Sequence, residues 1–91
     1  MSFELKYHPD VKEIDIPSLN LTIRKRIKKA IETRLVTEPH KYGEPLRKTL
    51  KGYWKLRVGD YRVVYKIVHN EVWILGAIHR GKVYRKIEKR R

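Results

Sequence analysis

Residues 52–91 contain three runs rich in β-branched and aromatic side chains, which is the composition of β-strands. The runs cover residues 53–58, 61–68 and 72–78, and the pairs Gly59-Asp60 and Asn70-Glu71 separate them. Two-residue loops of this kind connect neighbouring antiparallel strands. This part of the chain is therefore predicted to form a three-stranded meander, and the remaining residues have to cover its apolar face.

The first half of the sequence supplies one more strand and two helices. Residues 3–7 alternate apolar and polar side chains, which is the period of a half-buried strand. Pro9 favours the start of a short helix over residues 10–14, and Pro17 favours its end. A longer amphipathic helix with Ser18 or Asn20 as its N-cap is predicted next. Its apolar residues recur at helical spacing and are Leu19, Ile23, Ile27, Ala30, Ile31 and Leu35.

Two segments lack a clear period. Residues 37–51 contain two prolines, a glycine and several charges, and they are predicted to form a loop. Residues 82–91 are expected to form either a short helix or a disordered basic end. The whole chain, residues 1–91, is predicted to be one small α+β domain. Its antiparallel sheet consists of the N-terminal strand and the meander, with two N-terminal helices packed on one face.

The register of the meander follows from the length of its turns. If both turns have two residues, Arg57 faces Arg62 on the neighbouring strand, and Arg62 faces His79. Since side chains alternate between faces, one face carries Tyr53, Lys55, Arg57, Arg62 and His79. The opposite face, on which the amphipathic helix is predicted to pack, carries Trp54, Leu56, Val58, Tyr61, Val63, Tyr65, Ile67, Ile74 and Ile78.

This row of cations indicates an anion-binding surface. Like charges directly opposed in a sheet destabilise it by a few tenths to about 1 kcal/mol, so the row requires a compensating group. Guanidinium groups bind phosphate with paired hydrogen bonds and stabilise the charge that develops when phosphorus becomes five-coordinate. From the pattern alone, an equally good interpretation is a basic sheet whose arginines lie in solvent or pair with Asp60 and Glu44.

A second group of candidate residues follows the last predicted strand, in the stretch IHRGKVYR at 78–85. His79 has a side chain that can take or give a proton near neutral pH. Tyr84 offers a ring on which a nucleic-acid base can stack. The cations of this stretch are Arg80, Lys82 and Arg85. The alternative is structural, with the histidine ending a strand and the tyrosine lying at the edge of the core.

Composition restricts the class of function. The chain has 23 Lys and Arg against 10 Asp and Glu, a formal net charge of +13, which makes polyanions the favoured partners. Cysteine is absent and the four histidines are scattered, so neither a disulfide framework nor a metal site is expected. No apolar run approaches the roughly 20 residues of a membrane span, and no apolar signal segment begins the chain. We expect a cytoplasmic protein that does not contact membranes.

Both basic stretches resemble the RelE/ParE superfamily of small bacterial and archaeal toxins. The segment LKGYWKLRVGDYRVVY at 50–65 is similar to the family pattern L-x-G-x-x-K-L-R-x-G-x-Y-R-x-x-Y. The triplets IHR at 78–80 and VYR at 83–85 are similar to its C-terminal signature. The similarity extends over essentially the whole chain and implies an αβ toxin.

Among RelE-like members, the resemblance implies a ribosome-dependent endoribonuclease that acts without metal or other cofactor. Such toxins enter the A site of the 30S ribosomal subunit, where the ribose 2′-hydroxyl of the mRNA attacks the adjacent phosphate. By position in the motif, Arg57 and Arg62 match phosphate-contacting arginines. Arg80 matches a cation near the leaving group, and Lys55 matches a basic residue that activates or stabilises the reacting groups.

The remaining motif positions concern proton transfer and RNA binding. Tyr84 matches the tyrosine that stacks on the substrate base. His79 is the favoured general acid or base, and Lys55 is the alternative base. Tyr53 stands where some RelE-like enzymes have a second lysine, so the lysine-rich form of their mechanism does not transfer whole to this chain. Tyr53 is expected to contact RNA. Lys82 and Arg85 are expected to do the same.

The resemblance also leaves other functions open. ParE-like relatives share the fold but inhibit DNA gyrase by binding it, and a third possibility is a catalytically inactive relative that only binds nucleic acid. Any toxin of this class implies an antitoxin partner that covers the basic surface with an acidic or amphipathic segment. For the RelE-like reading, the further partners are the ribosome and mRNA.

Overall fold

The computed structural model describes residues 2–91, which form a five-stranded sheet with helices on both faces. The strands are β1 (Glu4–Tyr7), β2 (Glu44–Pro45), β3 (Trp54–Val58), β4 (Tyr61–Val68) and β5 (Glu71–His79). They lie in the order β1-β5-β4-β3-β2. The predicted α+β class and the meander are confirmed. The sheet is mixed, however, because β1 pairs with β5 in parallel. No tight hairpin connects β1 to a neighbour, so its direction is not constrained to be antiparallel.

Four helices accompany the sheet. Helix α1 covers residues 9–18 and α2 covers residues 21–35, and each contains a π-helical turn, at Val11–Asp15 and Ile31–Leu35 respectively. Helices α3 (Pro39–Tyr42) and α4 (Val83–Arg90) are shorter. Asn20 is the N-cap of α2, since its side chain accepts a hydrogen bond from the N–H of Ile23 at 2.9 Å. None of the helices within residues 2–91 is long and apolar enough to cross a membrane.

The structure decides three local predictions. Helix α1 is longer than the predicted residues 10–14, because a π-helical turn continues it, and it ends at Ser18, one residue after Pro17. Residues 37–51 are not a plain loop, since they contain α3, β2 and a 3₁₀ turn at Lys48–Leu50. Of the two alternatives for the C-terminal residues, the short helix is correct, and it is α4.

The sheet separates two hydrophobic cores. The first lies under α1 and α2 and includes Val11, Leu19, Ile27, Ile31, Leu35, Leu56, Val58, Val63, Tyr65, Val72, Ile74 and Ala77. The second lies under α4 and consists of Leu46, Leu50, Val64, Leu75, Ile78, Val83 and Ile87. Packing of the amphipathic helix on the predicted apolar face is therefore confirmed. The assignment of Ile78 to that face was wrong, because this residue is buried under α4.

The register between β3 and β4 is the predicted one, with Arg57 opposite Arg62, but the register between β4 and β5 is not. The second turn lies at residues 69–70, one position earlier than predicted, and His69 adopts a left-handed φ of 55° there. A β-bulge then adds Leu75 to β5, so that Arg62 faces Ile78 and His79 faces Tyr61. One extra residue moves every later side chain to the other face, which is why the predicted Arg62–His79 pair does not form.

A buried ion pair connects the two ends of the chain. Arg90 of α4 donates to both carboxylate oxygens of Asp15 in α1, with Nη1–Oδ2 at 2.6 Å and Nη2–Oδ1 at 2.8 Å. The two side chains are only 6% and 2% exposed. The hydrogen bonds with Asp15 raise the pKa of Arg90, so the guanidinium keeps its charge.

The same ion pair completes the edge of β5. Strand β1 pairs with β5 only as far as Ile74, which leaves the following residues of β5 without a strand neighbour on that side. Asp15 accepts a hydrogen bond from the N–H of Ala77 at 2.9 Å, and Arg90 donates to the carbonyl oxygen of Leu75 at 3.0 Å. Backbone groups that would otherwise be buried without partners are thus satisfied by two charged side chains.

We expect Asp15→Ala to lower the free energy of unfolding by about 3 to 5 kcal/mol, because it removes the two-point partner of the buried Arg90 guanidinium and leaves only the longer 3.5 Å ion pair between Nε and Asp10. Urea unfolding monitored by circular dichroism measures the change. Glu13→Ala is the control, since Glu13 is an exposed carboxylate on the same helix. The double variant Asp15→Leu/Arg90→Met should be more stable than Asp15→Ala alone. A single variant within about 1 kcal/mol of the wild type would contradict this assignment.

Candidate active-site cleft

Three cations lie on the face of the sheet opposite α1 and α2. Lys55 and Arg57 are two residues apart on β3, and Arg62 lies opposite Arg57 on β4. Alternation along the strands directs these side chains to the same face. Lys55 and Arg62 are half-buried, while Arg57 is exposed. The sequence-based prediction that these three residues share a face is therefore confirmed.

Two adjoining cavities surround these cations. One, of about 150 Å³, is lined by Tyr42, Glu44, Lys55, Arg57 and Arg62. The other, of about 410 Å³, is lined by Glu44, Pro45, Leu46, Arg47, Lys55 and Tyr84. Both cavities share Glu44 and Lys55, so we treat them as one cleft and name it the Lys55 cleft. Its floor is formed by β3 and β4, and its walls by the segment 42–47 and by the start of α4.

The three cations are available to a bound anion. Arg62 donates through Nη1 to the carbonyl oxygens of Gly59 and Tyr61, at 3.0 and 2.9 Å, which holds its guanidinium at the β3–β4 turn. Within residues 2–91, the ion pairs involve only Lys6, Lys41 and Arg90 on the basic side. The carboxylate of Glu44 lines the cleft without forming an ion pair there. The cleft therefore carries an excess of positive charge.

Tyr84 presents its ring at the wall of the Lys55 cleft. It lies in the first turn of α4, and its side chain is 42% exposed. Its hydroxyl accepts a hydrogen bond from the backbone N–H of Arg47 at 3.3 Å, which links α4 to the segment after β2. The hydroxyl is thus held by the protein while the ring remains accessible. This is the arrangement that base stacking requires.

His79 lies on the other face of the sheet, away from the Lys55 cleft. Its ring packs edge-on against Tyr61 with 5.6 Å between centroids, and its Nδ1 accepts a hydrogen bond from the N–H of Gly81 at 3.3 Å. It lines a separate cavity of about 210 Å³ to which Lys82 and the buried Asp15 also contribute. The bulge in β5 is the reason for this separation.

The candidate residues Tyr53, Arg80 and Arg85 do not line the Lys55 cleft. Tyr53 is half-buried and packs against the core under α4. Arg80 and Arg85 are exposed, and neither contributes to the two cavities of the cleft. The backbone N–H of Arg80 donates to the carbonyl oxygen of Asp60 at 2.9 Å, which fixes the end of β5 beside the β3–β4 turn. The role of Arg80 as a cation near the leaving group, and the roles of Tyr53 and Arg85 in RNA binding, stay predictions.

Residues 5–84 match the family model described as ParE toxin of type II toxin-antitoxin system, parDE. The chain belongs to this toxin family. The resemblance to the RelE/ParE superfamily is thereby confirmed, and three residues of the stretch that carries it, Lys55, Arg57 and Arg62, line the Lys55 cleft.

Individual members of the family agree with this assignment. The chain is 45% identical over 53 residues to toxin RelE of Mycobacterium tuberculosis, covering 56% of this chain and 55% of that protein. It is 43% identical over 54 residues to toxin RelG of the same organism, covering 57% and 62%. The match thus spans little more than half the length of these relatives. Among solved structures, the toxin-antitoxin complex RelBE2 from Mycobacterium tuberculosis contains a chain that superposes with a TM-score of 0.80 at 29% identity, covering 88% of this chain and 100% of that one.

Sequence reasoning did not predict that the segment 42–47 lines the Lys55 cleft, where its polar side chains are Tyr42, Glu44 and Arg47. All lie in the segment 37–51, where no hydrophobic period indicated structure. A signal existed in the prolines: Pro39 occupies the first position of α3, and Pro45 lies on the edge strand β2, both positions that tolerate proline.

A buried tyrosine holds this wall of the cleft. Tyr65 is fully buried in β4, and its hydroxyl donates to the carbonyl oxygen of Pro39 at 2.7 Å. Burial raises the pKa of Tyr65, so the hydroxyl stays protonated and remains a donor. Gly43 packs against the same hydroxyl so closely that a Cβ at this position would collide with it, at 1.7 Å. Tyr65 and Gly43 together set the distance between α3 and the sheet.

Proposed function

We propose that this chain is a ribosome-dependent endoribonuclease that cleaves mRNA in the ribosomal A site and so inhibits translation. The observation that carries the proposal is the Lys55 cleft, which combines three unpaired cations with an accessible aromatic ring. A phosphodiester with its adjacent base is a ligand that fits both features. The relatives named RelE and RelG, and the RelE-like motif block, support the same conclusion.

The proposed reaction is a transesterification within the RNA strand. The ribose 2′-oxygen forms a bond to the adjacent phosphorus while the bond from phosphorus to the 5′-oxygen breaks. The products are a 2′,3′-cyclic phosphate and a 5′-hydroxyl, so one proton leaves the 2′-hydroxyl and one is delivered to the 5′-oxygen. Arg57 and Arg62 stabilise the negative charge that grows on the phosphoryl oxygens in the transition state.

Tyr84 is proposed to position the substrate by stacking on the base next to the scissile phosphate. Its hydroxyl already bonds the N–H of Arg47, so the ring loses little freedom when a base binds. Correct placement of the 2′-hydroxyl relative to phosphorus contributes to the rate, because reacting atoms have to approach to about 3 to 3.5 Å.

Lys55 is the group in the cleft that we favour for proton transfer. It lies two residues from Arg57 on the same face of β3, whereas His79 lies across the sheet and lines another cavity. A general base has to reach the proton that it removes. This reverses the preference for His79 that the sequence suggested, while both residues stay candidates for experiment.

The proposed partners follow from the same surface. A cognate antitoxin is proposed to cover the basic face with an acidic or amphipathic segment, in line with the net charge of +13. The RelBE2 neighbour is itself a toxin-antitoxin complex. Expression of the chain alone should arrest growth, and co-expression with the product of the adjacent gene should restore it. Normal growth under both conditions would contradict a toxin role.

We expect Arg62→Ala to lower the rate of mRNA cleavage roughly 100- to 1,000-fold, the effect of removing one donor to a developing negative charge. Its free energy of unfolding should change by less than about 1 kcal/mol, because the lost hydrogen bonds to the turn are offset by relief of the Arg57–Arg62 opposition. Primer extension on an mRNA in a reconstituted translation reaction, with and without ribosomes, measures the cleavage.

Lys66→Ala is the matched control, because it also removes one positive charge from β4. Lys66 lies over the ring of Trp73, outside the cleft. Cuts that require ribosomes and Arg62 but not Lys66 would support the proposal. If no cuts occur with the wild-type chain in any reaction, the chain is not a nuclease, and gyrase inhibition or nucleic-acid binding alone becomes the better explanation.

A second pair of variants separates the two candidates for proton transfer. Lys55→Met should lower the cleavage rate by roughly 100- to 10,000-fold, the usual contribution of general acid–base catalysis. His79→Gln should stay within about tenfold of the wild type, because His79 does not line the cleft. Single-turnover cleavage on programmed ribosomes measures both rates. The opposite ranking would assign proton transfer to His79 and would require the two faces of the sheet to act together.

A further inference from the structure

A second basic groove lies between α2 and the β3–β4 turn. It has a volume of about 280 Å³ and is lined by Arg26, Lys29, Ala30, Thr33, Arg34, Arg57, Val58 and Gly59. Four of these eight residues are cations, and none is acidic. We name it the Arg26 groove.

The charge of the Arg26 groove is not neutralised by the protein. None of its four cations takes part in an ion pair within residues 2–91. Arg26, Lys29, Arg34 and Arg57 are all exposed at the surface. Like charges gathered in a concave site raise the local electrostatic potential, which favours binding of an extended polyanion.

Arg26 is positioned by the β3–β4 turn. Gly59 has a φ of 60°, and a Cβ built on it would lie 3.2 Å from Nη1 of Arg26, so the guanidinium rests directly on the turn. The same turn carries Arg62 through its hydrogen bonds from Nη1. One two-residue turn therefore places a guanidinium of the groove and a guanidinium of the cleft on its two sides.

The Arg26 groove is continuous with the Lys55 cleft. Arg57 lines both, because β2 pairs with β3 only at Trp54 and Lys55 and leaves the rest of this edge open. Arg34 of the groove also lies 5.8 Å from the ring centroid of Tyr42, which lines the cleft and is 45% exposed. An extended polyanion that leaves the Lys55 cleft at Arg57 thus passes the exposed ring of Tyr42 and reaches the cations of the Arg26 groove.

The geometry points to the Arg26 groove as the binding site for the RNA strand that continues from the scissile phosphate. The cations would contact successive backbone phosphates, and Tyr42 would stack on a base between the groove and the cleft. The inference rests on the proposed function, because it assigns the groove to the strand that the cleft cleaves. It adds a subsite for single-stranded RNA that the catalytic motif does not include.

Salt dependence of RNA binding tests the assignment without requiring cleavage. Fluorescence anisotropy with 2′-O-methyl oligonucleotides of about 4 and about 16 nucleotides gives Kd as a function of salt concentration. Each phosphate contact on a single strand contributes about 0.7 to the slope of log Kd against log salt. Arg26→Ala/Lys29→Ala should lower the slope by about 1.4 for the long oligonucleotide and leave it unchanged for the short one.

The control is Lys25→Ala/Lys28→Ala, which removes two charges from the same helix outside the groove. Its slope should match the wild type for both oligonucleotides. Equal slopes for both double variants, or equal losses with short and long RNA, would overturn the inference. Because the RNA is not cleaved, failure of the nuclease proposal would not change this result, and a negative result here would not affect the Lys55 cleft.

Binding to 30S subunits separates messenger from ribosomal RNA as the occupant. If the Arg26 groove binds the mRNA strand that is cleaved, Arg26→Ala/Lys29→Ala should weaken binding to mRNA-loaded 30S subunits and leave binding to empty subunits unchanged. An equal loss of affinity for both would place ribosomal RNA in the groove and contradict the assignment to the cleaved strand.

Discussion

The buried Asp15–Arg90 ion pair is the constraint on which the arrangement of the sheet depends. It joins α1 to α4 along the edge of β5 that β1 leaves unpaired, and it supplies hydrogen bonds to Ala77 and Leu75 there. A buried pair is costly to desolvate, and hydrophobic replacements often match its stability. Its value here is positional: it fixes α4 over the second core, and α4 carries Tyr84 to the Lys55 cleft.

The bulge at Leu75 gives the two faces of the sheet different chemistry. Side chains of β5 alternate between the two faces of the sheet, and the extra residue at the bulge reverses this alternation for the rest of the strand. Ile78 is therefore buried under α4, and His79 faces Tyr61. Gly76 follows the bulge in close contact with Ile78 and Ile87, where a Cβ would lie 2.6 and 2.8 Å from their side chains. Close packing of α4 at this point requires a residue without a side chain. The same local irregularity thus seats α4 and removes His79 from the cationic cleft.

Much of the fold was predictable from short-range patterns, and the errors share one cause. Strand composition and the Gly59-Asp60 turn gave the meander and the Arg57–Arg62 pairing, while helical spacing gave the main helix and its core face. The bulge at Leu75, the parallel placement of β1 and the fold of residues 37–51 depend on contacts between residues distant in sequence, which local patterns do not encode. The site follows the same division. Lys55, Arg57, Arg62 and Tyr84 lie in segments with a clear local pattern and were predicted as site residues. Tyr42, Glu44 and Arg47 lie in residues 37–51 and were not.

The protein tolerates the opposed charges of Arg57 and Arg62 because its stability does not depend on this pair. The pair lies next to the Val58–Tyr61 pair that closes the β3–β4 turn, and it costs at most about 1 kcal/mol. Two cores, one on each face, and a buried ion pair supply stability elsewhere. Arg62 is partly held by turn carbonyls, whereas Arg57 is exposed at an open edge and borders both basic sites. Binding of a polyanion at Arg57 and Arg62 would relieve this repulsion, so the charge of the ligand offsets a cost that the free chain carries at the binding surface itself.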